Sequence, residues 1–237
     1  MATEVIAHRG ASGTAPENTL PAFRRAVALG AEMIELDVQL SRDGYPVVIH
    51  DWTLDRTTSG RGQVRRRTLP EIAALDAGSW FAPAFAGTRV PTLDEVLAEI
   101  PIRVNVELKA SGDDGLERRA FEAVDRAHAF GRVVFSSFDP ASLSRLRALS
   151  SGAELAVLWA GRSVTRALAV ATRVRARSLH VRKSGTVWKA IAVGHDAGLS
   201  VRVWTVNTPV DFARLTDAGA DGVFTDYPER FLQFSRR

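Results

Sequence analysis

The chain contains no cysteine. That excludes a disulfide framework, a thiolate nucleophile and any Cys-ligated zinc or iron–sulfur centre. It also lacks a long apolar run. Residues 155–160 are typical of its hydrophobic stretches, far short of the roughly 18 residues a spanning helix needs, so no stable membrane insertion is expected. Lysine is scarce: Lys109, Lys183 and Lys189 are the only three, and Arg carries nearly all the positive charge. The 31 Lys and Arg against 27 Asp and Glu leave a net charge of only +4. The basic residues are scattered except at 61–67, read as a solvated loop. No nucleic-acid partner is expected, and the balance supports at most a mild attraction for anionic substrates. The first strand-like run begins at residue 4, which leaves no room for a signal peptide, so a cytoplasmic location is the expectation.

What is present is the composition of an ordinary globular protein, 46% hydrophobic and 24% charged over 237 residues. A chain of this length can bury a full core as one domain spanning 1–237. Short β-branched runs alternate with Ala/Leu/Arg-rich helical stretches, the pattern of βα units. The runs are 4–8, 33–39, 103–109, 132–138, 154–159, 178–182, 201–206 and 222–226, and from 103 onward they start 21–29 residues apart. Eight such units predict a (β/α)8 TIM barrel of the α/β class. A doubly wound sheet would more often stop at five or six strands.

Between the second and third runs lie 70 residues from start to start. They include a ninth strand, 46–50, joined to the second by Ser41-Arg42-Asp43-Gly44. Asp-Gly is the favoured pair for a two-residue type I′ turn. That geometry predicts an antiparallel hairpin extension with Asp37 directly opposite His50. Residues 51–90 are read as a small helical insertion within the domain, with one helix at 69–75. Thr92-Leu93-Asp94-Glu95 fits a capping box opening the next helix.

In such a barrel, chemistry sits at the C-terminal ends of the strands. Glu35 and Asp37 are two apart on one strand and so face the same way, with Ile34, Leu36 and Val38 turned outward. Glu107 and Lys109 repeat the pattern one strand over. Three converging carboxylates repel strongly, and Lys109 alone supplies one compensating charge. A hard divalent cation with oxygen ligands, Mg²⁺ or Ca²⁺, answers the excess. His8 and His50 end strands near this cluster and titrate near neutrality, as an acid/base pair requires. Arg9 offers a planar fork for phosphate. Gly10, Gly13 and the 16–19 segment leave backbone N–H groups near the same mouth. The other histidines read as structural: His128 and His195 on helices, His180 in mid-strand.

The order of short motifs resembles the glycerophosphodiester phosphodiesterase family, a TIM barrel of the phosphatidylinositol-phospholipase-C-like type. The matching stretches are A-H-R-G (7–10), P-E-N-T (16–19), E-L-D-V (35–38), S-R-D-G (41–44), V-I-H-D (48–51), L-D-R-T-T-S-G-R-G (54–62), P-T-L-D-E-V-L (91–97), E-L-K (107–109), S-S-F-D (136–139), W-T-V-N (204–207) and D-G-V-F-T-D-Y-P (221–228). Residues 178–183 show least family character and leave the far wall of the pocket undetermined. The resemblance implies that Glu35, Asp37 and Glu107 hold one metal ion and that His8 and His50 are the acid/base pair. By the same resemblance, Arg9 and Lys109 bind phosphoryl oxygens, and Phe138 and Trp204 line the cleft. The implied activity is metal-dependent hydrolysis of a small-molecule glycerophosphodiester to sn-glycerol 3-phosphate and an alcohol. Two other readings compete with it. One is a lysophospholipase D or sphingomyelinase-D-like activity on one-chain lipids. The other is a catalytically silent barrel that binds anions or nucleic acid.

Overall fold

A computed structural model describes residues 3–109 and 112–232. Among these residues nine strands form one sheet: β1 (Glu4–Ala7), β2 (Met33–Leu40), β3 (Pro46–Val48), β4 (Arg103–Leu108), β5 (Val133–Ser137), β6 (Glu154–Trp159), β7 (Ser178–Arg182), β8 (Ser200–Trp204) and β9 (Gly222–Thr225). Neighbours follow the order β1-β9-β8-β7-β6-β5-β4-β2, all parallel, and a β1–β2 pairing closes the ring. β3 stands outside it, antiparallel to β2. This is the eight-stranded barrel with a hairpin extension that the run spacing predicts.

The helices are α1 (Leu20–Leu29), α2 (Leu69–Ala73), α3 (Leu93–Glu99), α4 (Leu116–Arg126), α5 (Pro140–Leu149), α6 (Val164–Val174), α7 (Val187–Asp196) and α8 (Pro209–Asp217). Thr92, Asp139, Ser163 and Thr208 start α3, α5, α6 and α8 by accepting first-turn backbone N–H groups, which satisfies donors the helix itself leaves unpaired. The expected Thr92–Glu95 capping box is present. α2 is two residues shorter than expected. Among the described residues no helix is long and apolar enough to cross a membrane.

Strand alternation sorts side chains into two layers. Ile34, Leu36, Val38, Val104, Val106 and Leu108 face outward into the main core beneath the helices. Inside the barrel, Glu4 bridges Arg103 and Arg202 at the N-terminal end. Above them Ile6, Met33, Val134, Ala156 and Phe224 form an apolar plug. His180 is fully buried against the Phe224 ring, and burial pushes its pKa well below the ordinary imidazole value. Above this plug the inward positions turn polar. His195 ends α7 and pairs with Asp221. His128 lies just past α4 at a left-handed backbone position rather than within a helix.

The hairpin differs from expectation. Val38 pairs with Val48 and Leu40 with Pro46, and the Ser41 N–H donates to the Tyr45 carbonyl. The loop is therefore three residues, Arg42-Asp43-Gly44. The Gly44 N–H closes a turn onto the Ser41 carbonyl, and only Gly44 of the three has positive φ, +83°. This is a three-residue turn ending in a left-handed glycine bulge, not a type I′ pair. The register moves by one residue, and Ile49, not His50, donates its N–H to the Asp37 carbonyl. Beyond the hairpin, Leu54, Val64, Ile72, Ala77 and Val90 pack on Val47 and Ile49 as a small core separate from the barrel.

Candidate active site

β2 and β4 pair with Asp37 beside Glu107, so alternation brings Glu35, Asp37 and Glu107 to one place at the barrel mouth. One oxygen from each lies within 4.8 Å of the others. The cations around them are two rather than the one expected. Lys109 Nζ lies 2.9 Å from Glu107 Oε1 and 3.5 Å from Asp37 Oδ1. Arg9 follows β1 in a left-handed turn with Gly10. It donates its backbone N–H to Glu35 Oε2 at 2.9 Å and places Nε 3.3 Å from Asp37 Oδ2. Gly10 is required here, because a Cβ would sit 2.7 Å from the backbone of Ala22 in α1. Asn18 adds a 2.8 Å hydrogen bond to Asp37 Oδ2.

These partners are unevenly shared. Burial works to raise the Asp37 carboxyl, but Arg9, Lys109 and His50 together outweigh it and hold the group below its ordinary value. Glu35 goes the other way, pushed well above the usual range by burial and then by the charges of Asp37 and Glu107. Burial, followed by Asp37, raises Glu107 to about 7. Among the described residues three carboxyls thus face two cationic side chains, Arg9 and Lys109.

Each expected catalytic histidine has a carboxylate behind it. His8 Nδ1 lies 2.7 Å from Asp226 Oδ1. Asp226 is itself fixed by Asn207 at 2.6 Å and Ser12 at 3.1 Å. Burial acts to raise Asp226, yet the hydrogen bond and charge of His8 bring it down to about 2. His50 Nδ1 lies 2.7 Å from Asp51 Oδ1. The side chain of Gln39 anchors that segment, donating to the carbonyls of Ile49, His50 and Asp51. Burial lowers the His50 pKa, with Asp37 opposing and Arg9 assisting. Asp51 is in turn gripped by Arg56, Nε to Oδ2 at 2.7 Å and Nη2 to Oδ1 at 3.0 Å.

His8, Arg9, Glu35, His50, Glu107 and Lys109 line one side of a cavity of about 130 Å³. Phe138, Leu158, Trp204 and Phe224 form its apolar wall, with the Phe138 and Trp204 rings edge to face at 5.6 Å. The wall left open by the sequence is therefore built from β6, β8 and β9, and β7 contributes no lining residue among those described. Asp37 sits behind the rim, 1% exposed. An adjoining groove lined by Trp52, Ser137 and Pro140 shares Glu107, Lys109 and Phe138 with the cavity. All nine residues singled out from the sequence are thus brought together.

The sequence places Asp226 at a polar strand end, Asp51 directly after His50, and Glu17 and Asn18 at the start of the first helix, but gives none of them, nor Arg56 or Gln39, a role beside the histidines and carboxylates. Asp226 carried one signal. A closed barrel puts its last strand beside its first, so a polar residue ending β9 must lie next to the end of β1.

Residues 8–230 match the Glycerophosphoryl diester phosphodiesterase family. A glycerophosphodiester phosphodiesterase of Caldanaerobacter subterraneus subsp. tengcongensis is 40% identical over 242 residues, covering 100% of this chain and 99% of its own. A phosphodiesterase from Oleispira antarctica, solved in complex with the product sn-glycerol-3-phosphate, has a TM-score of 0.88 and 32% identity over 99% of this chain and 97% of that one. A glycerophosphodiester phosphodiesterase from Thermotoga maritima has a TM-score of 0.80 and 28% identity, covering 98% of each chain. With residues 8–230 matched by the family and nearly its full length matched by a 40% identical relative, the chain belongs to the glycerophosphoryl diester phosphodiesterase family.

Proposed function

We propose that this enzyme hydrolyses glycerophosphodiesters to sn-glycerol 3-phosphate and an alcohol, with His8 and His50 moving the protons. The observation that carries this reading is the pairing of each histidine, through Nδ1, with its own carboxylate at the mouth of one cavity. A carboxylate on Nδ1 sets the tautomer and leaves Nε2 as the nitrogen that meets substrate.

The donor set fits one divalent cation. Three carboxylate oxygens within 4.8 Å suit Mg²⁺ or Ca²⁺, and two of the three carboxyls are raised by burial and by the charges of their neighbours. Glu35, Asp37 and Glu107 would hold the ion. When bound, it would supply Lewis-acid polarisation of a phosphoryl oxygen and a lowered pKa for a coordinated hydroxyl. Arg9 and Lys109 would contribute donors to the remaining phosphoryl oxygens. One imidazole takes the proton from the attacking oxygen, either water or the 2-hydroxyl of the glycerol. The other gives a proton to the alcohol oxygen as its bond to phosphorus breaks. Attack by the 2-hydroxyl yields a cyclic phosphate that water then opens, so both routes consume one water overall. Phe138 and Trp204 pack the apolar side of the glycerol phosphate, and the groove at Trp52 gives the departing alcohol room.

The test is release of sn-glycerol 3-phosphate from a panel of glycerophosphodiesters, with and without chelator. Release that stops on chelation and returns with Mg²⁺ or Ca²⁺ supports the reading. Full release in excess chelator refutes the metal assignment, and no release from any diester refutes the substrate class.

A further inference from the structure

Arg56 lies at the start of the insertion, outside the barrel, and its side chain is 44% exposed. An exposed arginine usually contributes little, since a surface ion pair is worth about 0–1 kcal/mol. Its geometry sets it apart. Arg56 makes four charge-assisted hydrogen bonds, two to each of two carboxylates. Nε and Nη2 hold Asp51 at 2.7 and 3.0 Å, and Nη1 and Nη2 hold Glu17 at 2.7 and 2.8 Å. Neither carboxylate is at rest elsewhere. Asp51 Oδ1 is 2.7 Å from His50 Nδ1, and Glu17 Oε1 accepts from Arg9 Nη1 at 2.8 Å.

One planar guanidinium therefore ties together two chains of contact. One runs from the insertion through Asp51 to His50. The other runs from the loop before α1 through Glu17 to Arg9. A planar fork can grip both carboxylates two-pronged at once, whereas an ammonium carries its donors on a single atom. We infer that Arg56 is a positioning residue that sets His50 and Arg9 in mutual register across the mouth, so that the insertion is part of the catalytic apparatus and not merely a cover. The inference rests on the reading of His50 as a proton-transfer residue given above.

The reason to expect a kinetic effect is geometric. Without Arg56, Asp51 and Glu17 face each other with no shared cation, and each is free to swing with the catalytic group it holds. Displacement of a catalytic group by an ångström can cost about 100-fold. The small core of the insertion is apolar and contains Leu54, Val64 and Ile72, so it does not depend on the guanidinium.

The experiment compares wild type with Arg56→Gln, Arg56→Lys, Glu17→Gln and His50→Ala. Two substrates are used, glycerophosphoethanolamine and the p-nitrophenyl diester of glycerol 3-phosphate, with inhibition by sn-glycerol 3-phosphate as a further readout. Arg56→Gln is expected to lower kcat on the natural diester by roughly 10–100-fold. Its ratio of rates on the two leaving groups should follow that of His50→Ala, because both disturb the same proton transfer. It should also weaken inhibition by sn-glycerol 3-phosphate, as Glu17→Gln does, because both release Arg9. Arg56→Lys should fall between Arg56→Gln and wild type. If His50→Ala keeps wild-type turnover, the proposed function fails and takes this inference with it. If His50→Ala is crippled while Arg56→Gln turns over normally, or loses activity only in proportion to its unfolded fraction, the inference alone is overturned. Should Arg56→Gln not fold, the folded Arg56→Lys enzyme decides: wild-type kcat and leaving-group ratio overturn the inference, and a reduced kcat with the His50→Ala ratio upholds it.

Discussion

The three carboxylates at the mouth differ in what they do to the protein without metal. Glu107, raised to about 7, is protonated more readily in the folded chain than in the unfolded one. The folded chain therefore binds more protons between about pH 4.5 and 7, and stability falls as pH rises through that window. Glu107→Gln removes this cost. In chelated protein its melting temperature should match wild type near pH 5 and exceed it near pH 8, by at most about 3 kcal/mol of stability. A constant difference across that range would show that Glu107 is not the titrating group. Asp37 behaves oppositely, because its carboxyl is held below the ordinary value by Arg9 and Lys109. Asp37→Asn should destabilise the metal-free protein while Glu107→Gln does not, yet both should lower kcat/KM by at least about 100-fold. For the histidines, proton transfer by a placed imidazole is worth about 10²–10⁴-fold. His8→Ala and His50→Ala should each lose that much kcat on the natural diester. The variant lacking the acid should recover on a p-nitrophenyl leaving group, which needs little protonation, and the variant lacking the base should not. A loss below about threefold in both would refute two-histidine catalysis.

At the scale of elements, the hairpin decides where His50 stands. β3 is only three residues long, and His50 lies two residues beyond it. Its position is fixed by the Ile49–Asp37 backbone bond and by Gln39, which is buried and reaches three successive carbonyls. The turn that sets this register needs positive φ at Gly44, where a side chain costs about 1–2 kcal/mol, and a β-branched one more. Gly44→Val should lower stability by that order and reduce kcat through His50, whereas Gly44→Asn, which tolerates the left-handed region, should retain most of both. Equal damage from the two would mean that space, not backbone conformation, limits the site. Space is available, since the nearest atom to a Cβ at Gly44 is Arg119 Nε at 3.8 Å.

For the molecule as a whole, the carboxylates join neighbouring strands of a closed ring, and His8 directly follows a third. An ion bound by Glu35, Asp37 and Glu107 would bind the folded barrel and not the unfolded chain. At a concentration 100 times its dissociation constant it should add about 2.7 kcal/mol. For a domain of this size that is a rise in melting temperature of roughly 5–10 °C. Thermal unfolding with added Mg²⁺ or Ca²⁺ reads this without any assay of turnover. The rise should vanish in Glu35→Gln, and its persistence there would place the ion elsewhere.

Much of this organisation follows from local sequence. The period of βα units sets the barrel, because each unit buries one strand face under one helix. Period-two alternation on β2 and β4 already determines that Glu35, Asp37, Glu107 and Lys109 face inward while Ile34, Leu36, Val104 and Val106 face the helices. Thr92 and Glu95 likewise declare a helix start within four residues. Tertiary structure alone decided the contacts between positions remote in the chain. Asp226 reaches His8 only because β9 closes onto β1, and Glu17 meets Arg56 only because the insertion folds back over the loop before α1. The hairpin register was also undetermined locally, since Asp-Gly favours a two-residue turn but its glycine can equally fill the left-handed last position of a three-residue turn. The ladder chose between them, because the observed pairing buries Val47 and Ile49 against the small core of the insertion. The charge state of the cluster belongs to the folded molecule as well. Burial acts to raise all three carboxyls, and Asp37 is set apart because both Arg9 and Lys109 lie against it, an arrangement that exists only once the barrel has closed.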